Sequence, residues 1–397
     1  MALNTVSSDR LSTNVKNTNF TSAEKQDLTD DIKPLLGSSG GGNKNLIING
    51  AMQVVQRGTS STANGYGTVD RFKVNYGGTD EAPTQAQVDV ASGTTPYNLG
   101  LTKALRVTNG NQTSGAGAAD YMEIGYKIEA QDIRNSGWNY LSSSSFITLT
   151  FYVKSSVAQV FYGYIRTRDG TGYSYPFSTG SLSADTWTKV TKTIPGNSNL
   201  QIDNDNGSGL ELYLDQFLGT DATNNSRSLD SWAVHADGSH FPDMTSTWYT
   251  TNDATFEITG VQLEVGSVAT DFEHRSFGQE LALCQRYCYV IHMNTGDYSG
   301  FVGVASGNSV GEVCSSFPVP MRDEPTYTGS ATNCRFQSGN SSNTVLFSAL
   351  SIYRVPIHRP VPIIGLRDDD IGSMTEGQAL ILHAMANNGK MTFDAEL

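Results

Sequence analysis

The sequence predicts an all-β protein: a jelly-roll β-sandwich, a smaller C-terminal antiparallel β domain behind it, and a short N-terminal arm with one helix ahead of it. Three observations carry that expectation. Apolar residues alternate with polar ones over many short runs, the period of a strand with one face in a core. The runs are separated by Gly, Ser, Thr and Asn, and the 397 residues include 40 glycines, the punctuation of tight turns. Helix-start signals occur at only two places, each marked by a capping box.

Residues 1–42 differ from the rest. Met1–Asn19 is polar and aperiodic. Thr21-Ser22-Ala23-Glu24 then offers a capping box, and Leu28, Ile32, Leu35 and Leu36 share one apolar face until Pro34 ends or kinks the helix near Lys33. Ser38–Gly42 reads as a flexible linker. One such helix is too short for a coiled coil of its own, so the arm is expected to dock on a partner.

Residues 43–275 form the predicted sandwich. Phe146–Lys154 sets Ile147, Leu149, Phe151 and Val153 against Thr148, Thr150, Tyr152 and Lys154. Comparable runs cover 71–76, 85–90, 104–108, 121–128, 160–167, 187–194, 210–215 and 256–265. About ten strands at this spacing fit a two-sheet jelly roll. Residues 276–397 form the second domain. It opens at the capping box Ser276-Phe277-Gly278-Gln279, whose helix sets Phe277, Leu281, Cys284 and Cys288 on one face. Strands are expected at 287–293, 345–353 and 391–395.

Composition excludes several classes. Only 16% of residues are charged and the net charge is −13, which disfavours phosphate backbones and anionic membranes. No stretch approaches the 18 apolar residues of a spanning helix, and Met1–Arg10 has no signal-peptide pattern. The four cysteines, Cys284, Cys288, Cys314 and Cys334, form no CxxC pair and read as reduced, buried thiols. Beyond Lys192 the only lysine is Lys390, which leaves arginine as the cation of the second half.

Several segments resemble a known family. Asn45-Leu46-Ile47-Ile48-Asn49-Gly50-Ala51-Met52-Gln53-Val54-Val55-Gln56-Arg57-Gly58 with Asp70-Arg71-Phe72 is similar to the opening of carbohydrate-binding-module-like jelly rolls in tailed-bacteriophage fibre proteins. Phe151–Ser155, Thr186–Val190, Ile258–Gly266, Phe272–Ser276, Glu280–Tyr287, Phe317–Arg322 and Phe393–Leu397 continue the resemblance. It implies a virion protein assembled in the bacterial host cytoplasm, a homotrimer that attaches to host surface glycans or receptors. The short arm, with Leu28, Ile32, Leu35 and Leu36 as its docking residues, leaves open whether a tail, neck or capsid protein is its partner. A capsid or neck decoration protein is the alternative, and a glycan depolymerase the third.

A sugar site needs aromatic faces beside polar donors. Tyr162, Tyr164, Arg166 and Arg168 share one strand face, and Tyr173 and Tyr175 follow the Gly170-Thr171-Gly172 turn. A second candidate is the loop-rich stretch with Trp232, His235, His240 and Trp248. Either set also suits a bland reading, a subunit interface or the closed end of the sandwich. The six histidines read as scattered structural residues. Asp203–Gly209 fails the EF-hand register and reads as a hairpin turn at Asn206-Gly207; no cofactor or metal is assigned, although a structural calcium elsewhere stays open. Gly307-Asn308-Ser309-Val310-Gly311 matches G-x-S-x-G without the strand-to-helix context that motif requires. Asp368-Asp369-Asp370 reads as an exposed turn. The expectation is a binding protein, not an enzyme.

Overall fold

A computed structural model describes residues 44–329, 334–338, 344–346, 351–354, 361–368, 375–384 and 389–397. The predicted arm, with Leu28, Ile32, Leu35 and Leu36, lies outside the described residues, as do Asp369 and Asp370. Residues Asn45–Leu397 form one compact unit.

The first part runs β1 (Ser60–Ser61), β2 (Phe72–Gly77), β3 (Thr84–Asp89), α1 (Thr95–Asn98), β4 (Lys103–Thr108), β5 (Tyr121–Glu129), α2 (Ala130–Asn135), β6 (Phe146–Ser155), β7 (Val160–Thr167), β8 (Tyr173–Ser181), β9 (Thr188–Pro195), β10 (Ser208–Leu218), β11 (Ala233–Val234) and β12 (Thr255–Val265). Two antiparallel six-stranded sheets result, ordered β1-β3-β4-β12-β6-β9 and β11-β8-β7-β10-β5-β2. Their facing sides bury Ile147, Leu149, Phe151, Phe161, Ile165, Leu212, Phe256 and Ile258 in one apolar cluster. This is the expected jelly-roll sandwich.

The strands are more deeply buried than alternation implies. Thr148 and Thr150 on β6 are buried as well as the apolar set: Thr148 Oγ1 donates to Gly266 O at 2.7 Å, and Glu264 and Gln262, opposite the two threonines on β12, are held by Thr270 and Asp271. The chain from Asn45 extends the edge of β12, Leu46 N donating to Leu263 O at 2.9 Å. Asn45 Oδ1 accepts from Ile47 N (2.9 Å) and Leu263 N (3.0 Å), and its amide donates to Val261 O at 3.1 Å. The β12 register slips between Thr259 and Gln262, where Gly260 takes φ 62° and a Cβ would stand 2.6 Å from Leu101 Cδ1.

The second part opens with α3 (Phe277–Gln285), capped by Ser276, whose hydroxyl accepts from Gln279 N. Its buried face is Glu280 and Cys284. Phe277 is 59% exposed and Cys288 opens the next strand, so the expected apolar stripe is replaced by a polar anchor: Glu280 accepts from Asn49 N and pairs with Arg275. Then follow β13 (Cys288–Met293), β14 (Tyr298–Ala305), β15 (Gly311–Met321), β16 (Thr326–Gly329), β17 (Cys334–Ser338), β18 (Thr344–Leu346), β19 (Ser351–Arg354), β20 (Val361–Asp368), β21 (Ala379–Ala384) and β22 (Gly389–Asp394). They pair as a three-stranded sheet, β13-β22-β16, and a seven-stranded one, β18-β17-β21-β14-β15-β20-β19. Met293, Phe301, Val313, Met321, Leu382 and Phe393 belong to a second core.

Charged groups join the two cores. Arg71, fully buried at φ 73°, lies 3.4 Å over the Tyr287 ring, donates to Lys127 O at 2.6 Å and pairs with Glu396. Arg57 reaches Asp394 (2.8 Å) and Glu396 (3.3 Å), and Arg286 forms a two-pronged contact with Glu129 at 2.9 and 2.8 Å.

Three expectations are corrected. Cys284 and Cys288 are buried, but Cys314 is exposed, because it sits on the outward-facing row of β15 opposite Val302. Asn206-Gly207 is no hairpin: residues 196–207 cross from β9 in one sheet to β10 in the other, and Asn206 docks on Arg322 through its amide (2.9 Å) and carbonyl (2.6 Å). Asp368 ends a strand rather than lying in a turn. Gly307–Gly311 is the turn of the β14–β15 hairpin, closed by Ser306 N to Val310 O at 3.0 Å.

Candidate functional site

The site is on the outer face of the β11-β8-β7-β10-β5-β2 sheet. Along β10 the alternation sends Leu210, Leu212 and Leu214 into the core and leaves Glu211, Tyr213 and Asp215 on the other side. Register places Arg166 and Lys127 on either side of Glu211, Tyr164 and Gly125 beside Tyr213, and Tyr162 and Glu123 beside Asp215. A row of charge, a row of rings and a row of carboxyls thus cross three strands.

The connection from β10 to β12 folds back over this face. Phe241 stacks on Tyr162 (4.9 Å, 12°), His240 packs on Tyr164 at 4.8 Å, and Arg166 Nη1 lies 2.9 Å from His235 Nε2. Glu211 and Asp215 are fully buried as a result. A pocket of about 500 Å³ stays open beside the covered rows, within the range of ligand sites. Asp120 and Tyr121 at the head of β5, Glu123, Arg166, Asp221 and Asp237 contribute to its polar walls; Tyr164, Tyr213, Leu218 and His240 also line it.

Electrostatics separates the rows. Burial pushes the Glu211 carboxyl up, but Arg166 (Nε to Oε2, 2.6 Å), Lys127 (3.4 Å) and Arg168 (3.7 Å) outweigh it and hold the group below its ordinary range. Burial likewise opposes the Arg166 charge and is overcome by Glu211, so the guanidinium is held charged. In the carboxyl row no cation competes as closely. Burial, then Glu123, drives Asp215 well above the carboxylate range, and burial also raises Glu123 despite its bond from Asn75 (2.9 Å). Two carboxyls side by side in a buried place each disfavour the other's charge. Burial lowers both histidines, His240 to about 4, and Arg166 lowers His235 further; both rings are neutral at pH 7.

Among the eight expected ligand residues, Tyr162, Tyr164, Arg166 and Arg168 do share a face. Their rings are not open platforms, however: Tyr164 is 3% exposed, stacked on Tyr213 at 4.9 Å. The others are corrected. Tyr175 lies opposite Ile165 and therefore points into the core, where it meets Trp232 at 5.4 Å. Tyr173 and Trp232 pack against the same core, Trp232 donating to Pro195 O at 2.7 Å. Trp248 is fully buried, its Nε1 on Thr255 O at 3.0 Å, so no ligand reaches its ring. Asp120, Tyr121, Glu123, Asp221 and Asp237 escaped sequence reasoning. Of these, only Asp237 falls inside a stretch that the sequence singles out, between His235 and His240 of the second candidate.

No family model matches the sequence, and no curated protein sequence matches it. Among solved structures, the enzymatically active domain of bacteriophage CBA120 tailspike protein 4 is similar at a TM-score of 0.32 and 11% identity, over 56% of this chain and 22% of that one. A carbohydrate-binding module titled CBM4 is similar at 0.28 and 11% identity, over 55% and 98%. The N-terminal cellulose-binding domain of Cellulomonas fimi β-1,4-glucanase C is similar at 0.26 and 12% identity, over 55% and 99%. The chain spans about a fifth of the tailspike chain's length.

Proposed function

We propose that this protein is a non-catalytic glycan-binding protein of a phage fibre, trimeric and anchored through its N-terminal arm, with the pocket beside Tyr121 as its sugar site. The observation that carries the reading is the pocket itself, which sets the half-exposed Tyr121 beside Asp120, Asp221 and Asp237 on a rigid sandwich face. Carboxylates accept hydrogen bonds from hydroxyls, and an aromatic ring takes the apolar face of a pyranose. The only cation lining the pocket among the described residues, Arg166, is already bonded to Glu211. The ligand is therefore a neutral or amine-bearing glycan; sialic and uronic acids would meet uncompensated carboxylates. The resemblance of the Asn45–Gly58 segment and of the Ile258–Tyr287 junction to phage fibre jelly rolls supports the virion role, and multivalent display would compensate for a weak single site.

A glycan array probed with the full chain tests this. Binding to neutral or amino glycans is expected, with Tyr121→Ala and Asp221→Asn each weakening it about tenfold, the scale of one lost contact. Preference for acidic glycans, or binding indifferent to both substitutions, overturns the site. Release of reducing ends from a bound polysaccharide overturns the non-catalytic assignment.

A further inference from the structure

His235, Asp237 and His240 lie within six residues of the β10–β12 connection, and one donor atom from each lies within 4.8 Å of the others. The loop is not free to scatter them. His240 is 9% exposed and wedged against Tyr164 and His235, with ring centroids 4.8 and 5.1 Å away. His235 is fixed by Arg166 at 2.9 Å. Asp237 alone is open, its side chain 98% exposed, with Oδ1 3.3 Å from His235 Nε2.

A second observation points to a ligand. The Nδ1 of His240, on a ring nine-tenths buried, finds no hydrogen-bond partner among the described residues, while the ring's other nitrogen bonds the Asp237 backbone. The His235 Nδ1 is also without a partner, but the Arg166 guanidinium can only donate, so His235 Nε2 accepts from it and Nδ1 carries the ring proton. A neutral imidazole presents one N–H and one lone pair, and the orphaned lone pair of His240 is costly in a buried place. A metal ion takes that lone pair, histidine being the commonest metal ligand; at His235 it takes the Nε2 lone pair in place of Arg166, which keeps its bond to Glu211.

We propose that His235, Asp237 and His240 form a binding site for a first-row transition-metal dication, zinc being the representative. Two imidazoles and one carboxylate are a borderline donor set that suits zinc, nickel or copper, whereas calcium and magnesium require oxygen ligands. With metal–ligand bonds of about 2.0–2.2 Å, donors up to 4.8 Å apart close by roughly 1 Å on binding. The charged groups facing the site are Arg166 and Arg168, which oppose a cation, with Asp237 favouring it; Glu211 neutralises the arginines from below. Three protein ligands leave a fourth position open. Asp237 and His240 also line the 500 Å³ pocket, so that position adjoins the proposed sugar site. The metal site stands on the loop geometry alone and survives failure of the glycan reading.

Isothermal titration of zinc chloride into the full chain, purified without a polyhistidine tag and pre-treated with chelator, tests the proposal. One equivalent is expected to bind, nickel in the same site and calcium and magnesium at least a hundredfold more weakly. Asp237→Ala, which removes an exposed side chain, is expected to weaken zinc at least tenfold, and His240→Phe, which keeps a ring against Tyr164, to abolish it. Circular dichroism spectra matching the parent show that both variants fold. Absence of stoichiometric zinc binding, zinc binding unchanged in both variants, or calcium bound as tightly as zinc overturns the proposal.

Discussion

Asp215 departs furthest from the ordinary behaviour of its residue type. It is fully buried, faces Glu123 across the β5–β10 ladder, and pairs with no cation among the described residues. Its folded-state pKa is raised well above 3.8, so between the unfolded and folded values the native state binds more protons than the unfolded one. Stability then falls as pH rises through that window. Asp215→Asn keeps the shape and lets an amide N–H donate to the Glu123 carboxylate, a bond to a charged group worth about 1.5–3 kcal/mol. The variant is expected to be more stable than the parent at pH 8, with a flatter profile from about pH 4 upward, and urea unfolding across that range is the check. A parent no less stable at pH 8 than at pH 5 would contradict the raised Asp215 carboxyl. Nothing in the local sequence marked this residue. Leu-Asp-Gln in a strand says that Asp215 alternates out of the core, and what covers it comes from 26 residues downstream at Phe241.

At the scale of elements, the strands were legible because period two survives even where both faces are buried: the 146–154, 160–167 and 256–265 runs fall within a residue or two of β6, β7 and β12. Tyr175 and Trp248 show where that stops. An aromatic residue in an alternating run reports that a side is apolar, not whether the side is core or ligand face, and only pairing with Ile165 decides it for Tyr175. The pocket was less legible still, since its walls come from β5, β7, β10 and a folded-back loop. The capping box at Ser276 was legible, because its two hydrogen bonds are local. Ser276→Ala is expected to cost about 1 kcal/mol in denaturant unfolding. The loss is expected to appear in hydrogen exchange at Asn49 as well as in α3, because the helix holds Asn49 N through Glu280. Protection at Asn49 equal to the parent's would show that the helix does not hold that segment.

For the whole molecule, two apolar cores are bound by buried charge rather than by a shared hydrophobic layer. Arg71 and Glu396 are the centre of that joint, with side chains 0% and 4% exposed. Removing one member of a buried pair strands the other and costs about 3–5 kcal/mol. The parent is expected to unfold in one calorimetric transition. Arg71→Met, and more mildly Glu396→Gln, is expected to split it in two, with the smaller C-terminal core melting first. A single transition merely shifted to lower temperature in both variants would place the coupling elsewhere.

The polar stitching of Asn45–Asn49 also bears on how the chain comes to be folded at all. Its partners are Val261, Leu263, Glu273, Arg275 and Glu280, more than 200 residues later in synthesis. A nascent chain at about 5–20 residues per second therefore waits tens of seconds with β12, the strand between β4 and β6, still missing and those two edges unpaired. Loop closure over that separation is slow. Once made, the same closure must be undone before either sheet opens, so the protein is expected to be slow to form and equally slow to come apart.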